Sequence, residues 1–150
     1  MNKKSPELPL LAPSILIGEP SIDIEHHALH AFLMRWIRQL EETDSLPESN
    51  DFIDAVIRLG ELIQMHARNE ERILENSSMP ESEVQMHKAA HTKIIEQFAN
   101  LSFELMEGER VSRAEILRQI RRWIIAHHVE YDLKISEYIQ PAAWWQDHFP

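Results

Sequence analysis

The chain has 150 residues, no cysteine and a formal net charge of −10. That length suits one domain with a real core. The absence of cysteine excludes disulfides, thiolate zinc sites, iron–sulfur clusters and thiol redox chemistry, and the charge argues against nucleic-acid partners and anionic membrane surfaces. Leu, Ile, Ala, Met, Glu, Arg and Gln are plentiful and there are only three glycines, a composition that favours helices. No apolar run is long enough to span a bilayer. Pro9 and Pro13 break the stretch from Leu8 to Ile17, and no small-residue cleavage site follows it, so the N-terminus does not read as a signal peptide. The expectation is a soluble, cytoplasmic protein.

Residues 1–20 read as an extended arm, because Pro6, Pro9, Pro13 and Pro20 forbid a continuous helix. A first helix follows, from Ser21 or Asp23 to Glu42, with Leu29, Leu33, Ile37 and Leu40 on its apolar stripe and His26 on the same stripe. Asp44, Ser45, Pro47 and Ser49 make a loop, and Asn50 or Asp51 can cap a second helix that runs to about Glu75. The third helix is the cleanest: Val84, His87, His91, Ile94, Phe98, Leu101 and Leu105 alternate steps of three and four, a bundle seam with two histidines in it. Gly108 ends it. Ser112 with Glu115 spells a capping box that opens the fourth helix, where Ile116, Ile120, Trp123, Ile124 and Tyr131 face inward with His127. Pro141 ends the regular pattern, leaving a tail with Trp144, Trp145 and Phe149. The predicted fold is all-α: an up-down-up-down four-helix bundle over 21–140, with an arm at 1–20 and a short aromatic tail at 141–150.

Seven metal-ligand side chains fall at positions that would converge inside such a bundle: His26, His66, Glu70, His87, His91, His127 and Asp132. His87 and His91 are four apart, as are His66 and Glu70, so each pair projects from one helix face. Burying this many polar groups without a metal would need an equal supply of hydrogen-bond partners. His26 shares the leucine stripe, whereas His27 falls with Met34, Arg38 and Glu41 and points outward. His30 lies at the edge of the stripe. His127 shares a face with Ile120 and Ile124, while His128 shares one with Arg121. For the last carboxylate, spacing alone favours Glu130, three residues after His127; Asp132, five after, would need a wider, π-like turn.

The segments IGEPSIDIEHHAL at 17–29, HARNEE at 66–71, HKAAH at 87–91 and WIIAHHVEYD at 123–132 resemble the hemerythrins, in particular the single-domain bacterial kind. The resemblance implies a non-heme di-iron centre, with His87, His91 and His127 on one iron and His26 and His66 on the other. Glu70, Asp132 and an oxo or hydroxo group would bridge them. It thereby selects Asp132 over Glu130, and it implies dioxygen binding at the iron with fewer nitrogen ligands, by a protein that is often a monomer. The chain departs from the family at Ala67, where an aromatic residue is usual, at Leu74, where Met is frequent, and at His30 and His128, where aromatic and apolar residues are usual; an N-terminal Trp common in the family is also missing. More open or wetter surroundings at Ala67, His30 and His128 would speed autoxidation.

Three functions compete. The first is reversible dioxygen binding for storage, delivery or sensing. The second is a di-iron redox enzyme, for which neither ExxH nor HExxH is present. The third is a redox or nitric oxide sensor that acts through a protein partner, with the Trp144–Trp145 tail as the candidate contact. Seven ligands suit a dinuclear iron site better than four-coordinate zinc.

Overall fold

The computed structural model describes residues 16–43, 49–108 and 112–139. Most of the arm and the whole aromatic tail therefore lie outside the described residues. Four α-helices follow one another: α1 Pro20–Thr43, α2 Ser49–Glu75, α3 Glu81–Met106 and α4 Arg113–Glu130, with a 3-10 helix at Asp132–Glu137. Pro20 opens α1 rather than closing the arm. Its ring presets the helical φ, and its missing N–H lies in the first turn, where no intrahelical acceptor exists. At the start of α4, Ser112 Oγ accepts from the Glu115 backbone N at 3.5 Å. The Glu115 carboxylate turns instead to Arg118 and Arg122, so only half of the expected capping box forms. Gly108 ends α3 at φ +80°, a conformation that suits glycine.

Ring and side-chain contacts give the helix directions. Early in α1, His26 meets His66 late in α2, while Trp36 late in α1 meets Phe52 early in α2. His91 meets Glu71 of α2 through a hydrogen bond, and Phe98 meets Trp123 of α4. Neighbours in sequence are thus antiparallel, which short connections favour. The chain is an all-α, up-down-up-down four-helix bundle.

Two apolar clusters fill it. The larger takes Leu33, Val56, Leu59, Phe98, Leu117 and Ile120, among others, from all four helices. The smaller, at the other end, joins Ile17, Ile22, Leu74, Met79, Val84 and Ile135. It is closed by Asp23, a buried carboxylate whose two oxygens accept the backbone N–H groups of Ile17 (2.9 Å) and Gly18 (3.0 Å). Gly18 at φ +91° lets the chain turn into this clasp. The first three helices each contribute to both clusters, whereas α4 contributes to the larger and the 3-10 helix after it to the smaller, and a polar gap lies between the two contributions: Ile22 and Leu29 flank His26, Ile63 and Leu74 flank His66 and Glu70, Val84 and Ile94 flank His87 and His91, and Ile120 and Ile135 flank His127 and Asp132. A buried polar layer thus crosses the bundle between two hydrophobic ones. No helix among the described residues is long and apolar enough to cross a membrane.

Ile120, fully buried, anchors the larger cluster. Ile120→Ala should cost about 2–5 kcal/mol in urea unfolding, from lost transfer energy and the cavity left behind. Phe103, 60% exposed, should change stability by no more than about 0.5 kcal/mol when cut to Ala. Equal losses would contradict this placement of the core.

Candidate metal centre

The polar layer contains all seven residues singled out above, each buried. Their potential donor atoms form two overlapping groups. Glu70, His87, His91, His127 and Asp132 make one, and His26, His66, Glu70 and Asp132 the other; within each group the atoms lie within 4.8 Å of one another. Glu70 and Asp132 belong to both, and each divides its oxygens. Glu70 Oε1 faces His87 Nε2 (2.5 Å) and His91 Nε2 (3.4 Å), while Oε2 faces His66 Nε2 (3.1 Å) and His26 Nε2 (3.6 Å). Asp132 Oδ1 faces His127 Nε2 (2.9 Å) and His87 Nε2 (3.1 Å), while Oδ2 faces His26 Nε2 (3.1 Å).

These separations are those of hydrogen bonds, but most of the angles are not. Both Glu70 oxygens, Asp132 Oδ1 and the Nε2 atoms of His87, His91 and His127 have no hydrogen-bond partner although they are buried. Buried polar groups are normally satisfied, and leaving several orphaned costs a few kcal/mol for each (~1–3). Lone pairs that miss one another yet converge on common points are arranged as metal ligands are. The donor set, imidazole nitrogens with carboxylate oxygens, suits first-row transition metals. The residues present therefore fit a bound cation.

Asp132 reaches this layer by a route that sequence spacing did not anticipate. The π-like turn expected between His127 and Asp132 is absent. Tyr131 N still bonds to His127 O at 2.9 Å, an ordinary α-helical step. The helix then ends: Tyr131 adopts φ −119°, ψ −55°, and Asp132 opens the 3-10 helix. That break swings Asp132 inward, 2% exposed, and leaves Glu130 exposed. The fourth helix thus ends at Glu130, well short of Pro141, where the regular sequence pattern stops. His128, set apart from His127 by the stripe it shares with Arg121, nevertheless joins the layer. It is buried, its ring lies 4.7 Å from that of His26, and its Nδ1 stands 3.4 Å from Asp132 Oδ2. His27 is exposed and His30 half-buried, as expected.

Two carboxylates outside the seven were missed. His66 Nδ1 lies 3.0 Å from Glu25 Oε2 and His91 Nδ1 lies 2.9 Å from Glu71 Oε1. A ring N–H donated there leaves each Nε2 as a bare lone pair aimed into the layer, which fixes both tautomer and orientation. The signal was present but weak: each glutamate is the immediate neighbour of a site residue, on the flank that faces the next helix. Tyr131 stacks on the His127 ring (5.3 Å, 25°) and braces it from outside.

Charge balance dominates the layer. Burial opposes charge on His26, but Asp132 and Glu70 beside it outweigh burial and raise its pKa to about 9. Against the same burial, Glu25 and Glu70 raise His66 to about 10, and Asp132 and Glu70 raise His87 to about 9. Burial also pushes Glu70 and Asp132 upward, yet the surrounding imidazoles hold both well below the usual carboxylate range. Beside the layer lies a cavity of about 30 Å³, lined by His26, His66, His91, His127 and Asp132 and by the aliphatic Leu29, Ile63, Ile94 and Ile124. His30 and His128 complete its wall, and Ala67 does not line it. Burial and the neighbouring His128 and His26 lower the His30 pKa to about 4, which leaves that ring neutral at neutral pH.

A model of the family described as hemerythrin HHE cation binding domain matches residues 19–137. No curated protein and no solved structure matches the chain.

Two outcomes follow from this geometry. Without metal, the raised histidines contribute stability that is complete below their ordinary pKa of 6.5 and is lost as pH climbs through about 9 to 10. The depressed carboxylates contribute above their ordinary values and lose that contribution only in acid. The Tm of the metal-free protein should therefore fall between pH 6.5 and 10; a flat or rising Tm would count against the charge balance described. Removing the anchor of an imidazole should weaken cation binding. Glu25→Gln and Glu71→Gln should each lower affinity in chelator competition by roughly 10–100-fold, with helicity preserved.

Proposed function

The chain belongs to the hemerythrin family, and from that premise we propose that it binds dioxygen reversibly at a centre of two iron ions, for oxygen storage, delivery or sensing. His87, His91 and His127 would hold one ion and His26 and His66 the other, with Glu70, Asp132 and an oxo or hydroxo group shared between them. One observation carries the reading: two buried histidine groups meet across Glu70 and Asp132, and each carboxylate offers one oxygen to either side. Seven donors of this kind are too many for a single tetrahedral zinc, whereas mixed imidazole and carboxylate ligation suits iron. When bound, two ferrous ions would supply the pair of electrons that dioxygen takes up and returns.

The chain's own residues do the rest. Glu25 and Glu71 hold His66 and His91 in register. Two imidazoles on the His26–His66 side against three on the other leave that side short of a nitrogen ligand, and both His26 and His66 border the small cavity. A space of about 30 Å³ holds a molecule of water size or little more, which suits a diatomic gas. Its four aliphatic walls limit water at the centre and so slow irreversible oxidation. The unit proposed to act is the bundle over 21–140, as a cytoplasmic monomer.

One observation favours the alternative, a di-iron redox enzyme or a redox or nitric oxide sensor working through a protein partner. His30 and His128 add two imidazoles to the cavity wall. Polar groups there invite water and proton transfer, which favour oxidation over storage.

Visible absorption of the iron-loaded, anaerobically reduced protein separates the two. A charge-transfer band that appears with dioxygen and vanishes when the gas is removed is the expected result; direct conversion to a stable diferric spectrum would reject reversible binding and favour the redox reading. Metal analysis tests the ligand set. Asp132→Ala should lose the two-iron stoichiometry, and Glu130→Ala should keep it. The reverse pattern would overturn the assignment of Asp132.

A further inference from the structure

The layer holds a sixth buried imidazole, outside the set of seven donors. His128 is 5% exposed and lines the inner cavity together with His26 and His66. It stands in the last turn of α4, four residues before Asp132, and the break at Tyr131 that swings Asp132 inward sets the two side by side. His128 Nδ1 lies 3.4 Å from Asp132 Oδ2. That oxygen is the one turned to His26, at 3.1 Å. His128 therefore addresses the side of the layer that has two imidazoles rather than three.

Ring spacings agree with this placement. Within the group of three, His87, His91 and His127, the ring centroids are 4.7, 4.7 and 5.1 Å apart. His26 lies 4.6 Å from His66 and 4.7 Å from His128. By contrast His66 and His91, on opposite sides, are 6.4 Å apart. Imidazole and carboxylate donors bind first-row ions at about 2.0–2.2 Å, so two neighbouring donors on one ion stand about 2.8–3.6 Å apart. His26 Nε2 to His66 Nε2 at 3.0 Å, His26 Nε2 to Asp132 Oδ2 at 3.1 Å and His128 Nδ1 to Asp132 Oδ2 at 3.4 Å all fall in that range. His128 is not one of the four donors that all lie within 4.8 Å of one another, so its ring must turn inward to join them. The torsion about an imidazole's Cβ–Cγ bond is broad, and the cavity beside the ring gives room.

We propose that His128 is a displaceable third nitrogen ligand on the His26–His66 side, taking through Nδ1 the position that a small external ligand would otherwise fill. The assignment rests on the two-ion reading above and deepens it: dioxygen and His128 compete for one position.

Cobalt(II) tests this without oxygen chemistry, because its visible absorption is weak in six-coordination and strengthens as ligands are lost. The full chain, freed of metal, is loaded with cobalt(II) under chelator competition, wild type beside His128→Ala and His128→Phe. All three should take up two ions. In both variants the weaker of the two affinities should fall roughly tenfold and the absorption should intensify. Added imidazole should reverse both changes in His128→Ala, which leaves a space for it, and not in His128→Phe, which keeps that space filled. A purely structural role for His128 predicts no such reversal. Azide should bind the cobalt(II) form of His128→Ala more tightly than that of the wild type, since no imidazole has to leave. Unchanged spectra and affinities, changes that imidazole does not reverse in His128→Ala, or equal azide affinity would overturn the assignment. If His128→Ala loses its helicity, His128→Phe decides through affinity and absorption. Two ions in the wild type with no effect of His128 would sink this assignment alone; a single ion in the wild type would sink the two-ion reading and the assignment with it.

Discussion

Two carboxylates buried in the middle of an apolar bundle are the constraint on which the rest of this structure depends. Glu70 and Asp132 are at most 2% exposed, and an ionised carboxylate so placed is untenable unless positive charge meets it. The five imidazoles around them can meet that demand in two ways: by taking up protons themselves, or by sharing a cation with the carboxylates. The raised histidine pKa values and the orphaned donor atoms are the two sides of this choice. A buried layer of this kind adds little stability of its own, so the apolar clusters above and below it must hold the helices together. Their placement on either side, with α1, α2 and α3 contributing to both, lets four helices tolerate a polar cross-section.

Much of this was legible in the sequence because helical periodicity reports burial directly. The seven seam positions of α3, from Val84 to Leu105, are the seven buried residues of that helix. The same logic brought His26, His66, Glu70, His87, His91 and His127 to inward faces. It failed at the end of α4, and for one reason. Periodicity assumes that the helix continues, and at Tyr131 it does not. An ideal helix puts Glu130 inside and Asp132 off the face; a helix that ends and tightens into a 3-10 turn reverses them. Only the resemblance to a known family pointed to Asp132, since no local signal in WIIAHHVEYD marks the break.

His128 illustrates a second limit. A stripe shared with Arg121 suggested solvent, yet Arg121 lies two turns away, where the helix can be half-exposed while its end is covered. Exposure along a helix depends on what packs at each level, and near the end of α4 both α1 and the 3-10 helix close over it. Glu25 and Glu71 were hidden differently. Their partners lie on neighbouring helices, and pairing across helices depends on axial register, which the pattern within one helix does not encode.

The closing turn at Asp132 also bears on how the protein is made. The residues of the polar layer come from the first helix and from the segment after the last, so the layer spans nearly the whole described chain. A nascent chain emerging from the ribosome carries His26, His66, Glu70, His87 and His91 well before Asp132 appears. Until then the shared carboxylate set is half complete, and Ile135 has not arrived to seal the end of the bundle against Ile17 and Ile22. A complete donor set is therefore a late product of synthesis, tied to emergence of the segment that follows α4 rather than to folding of the first helices.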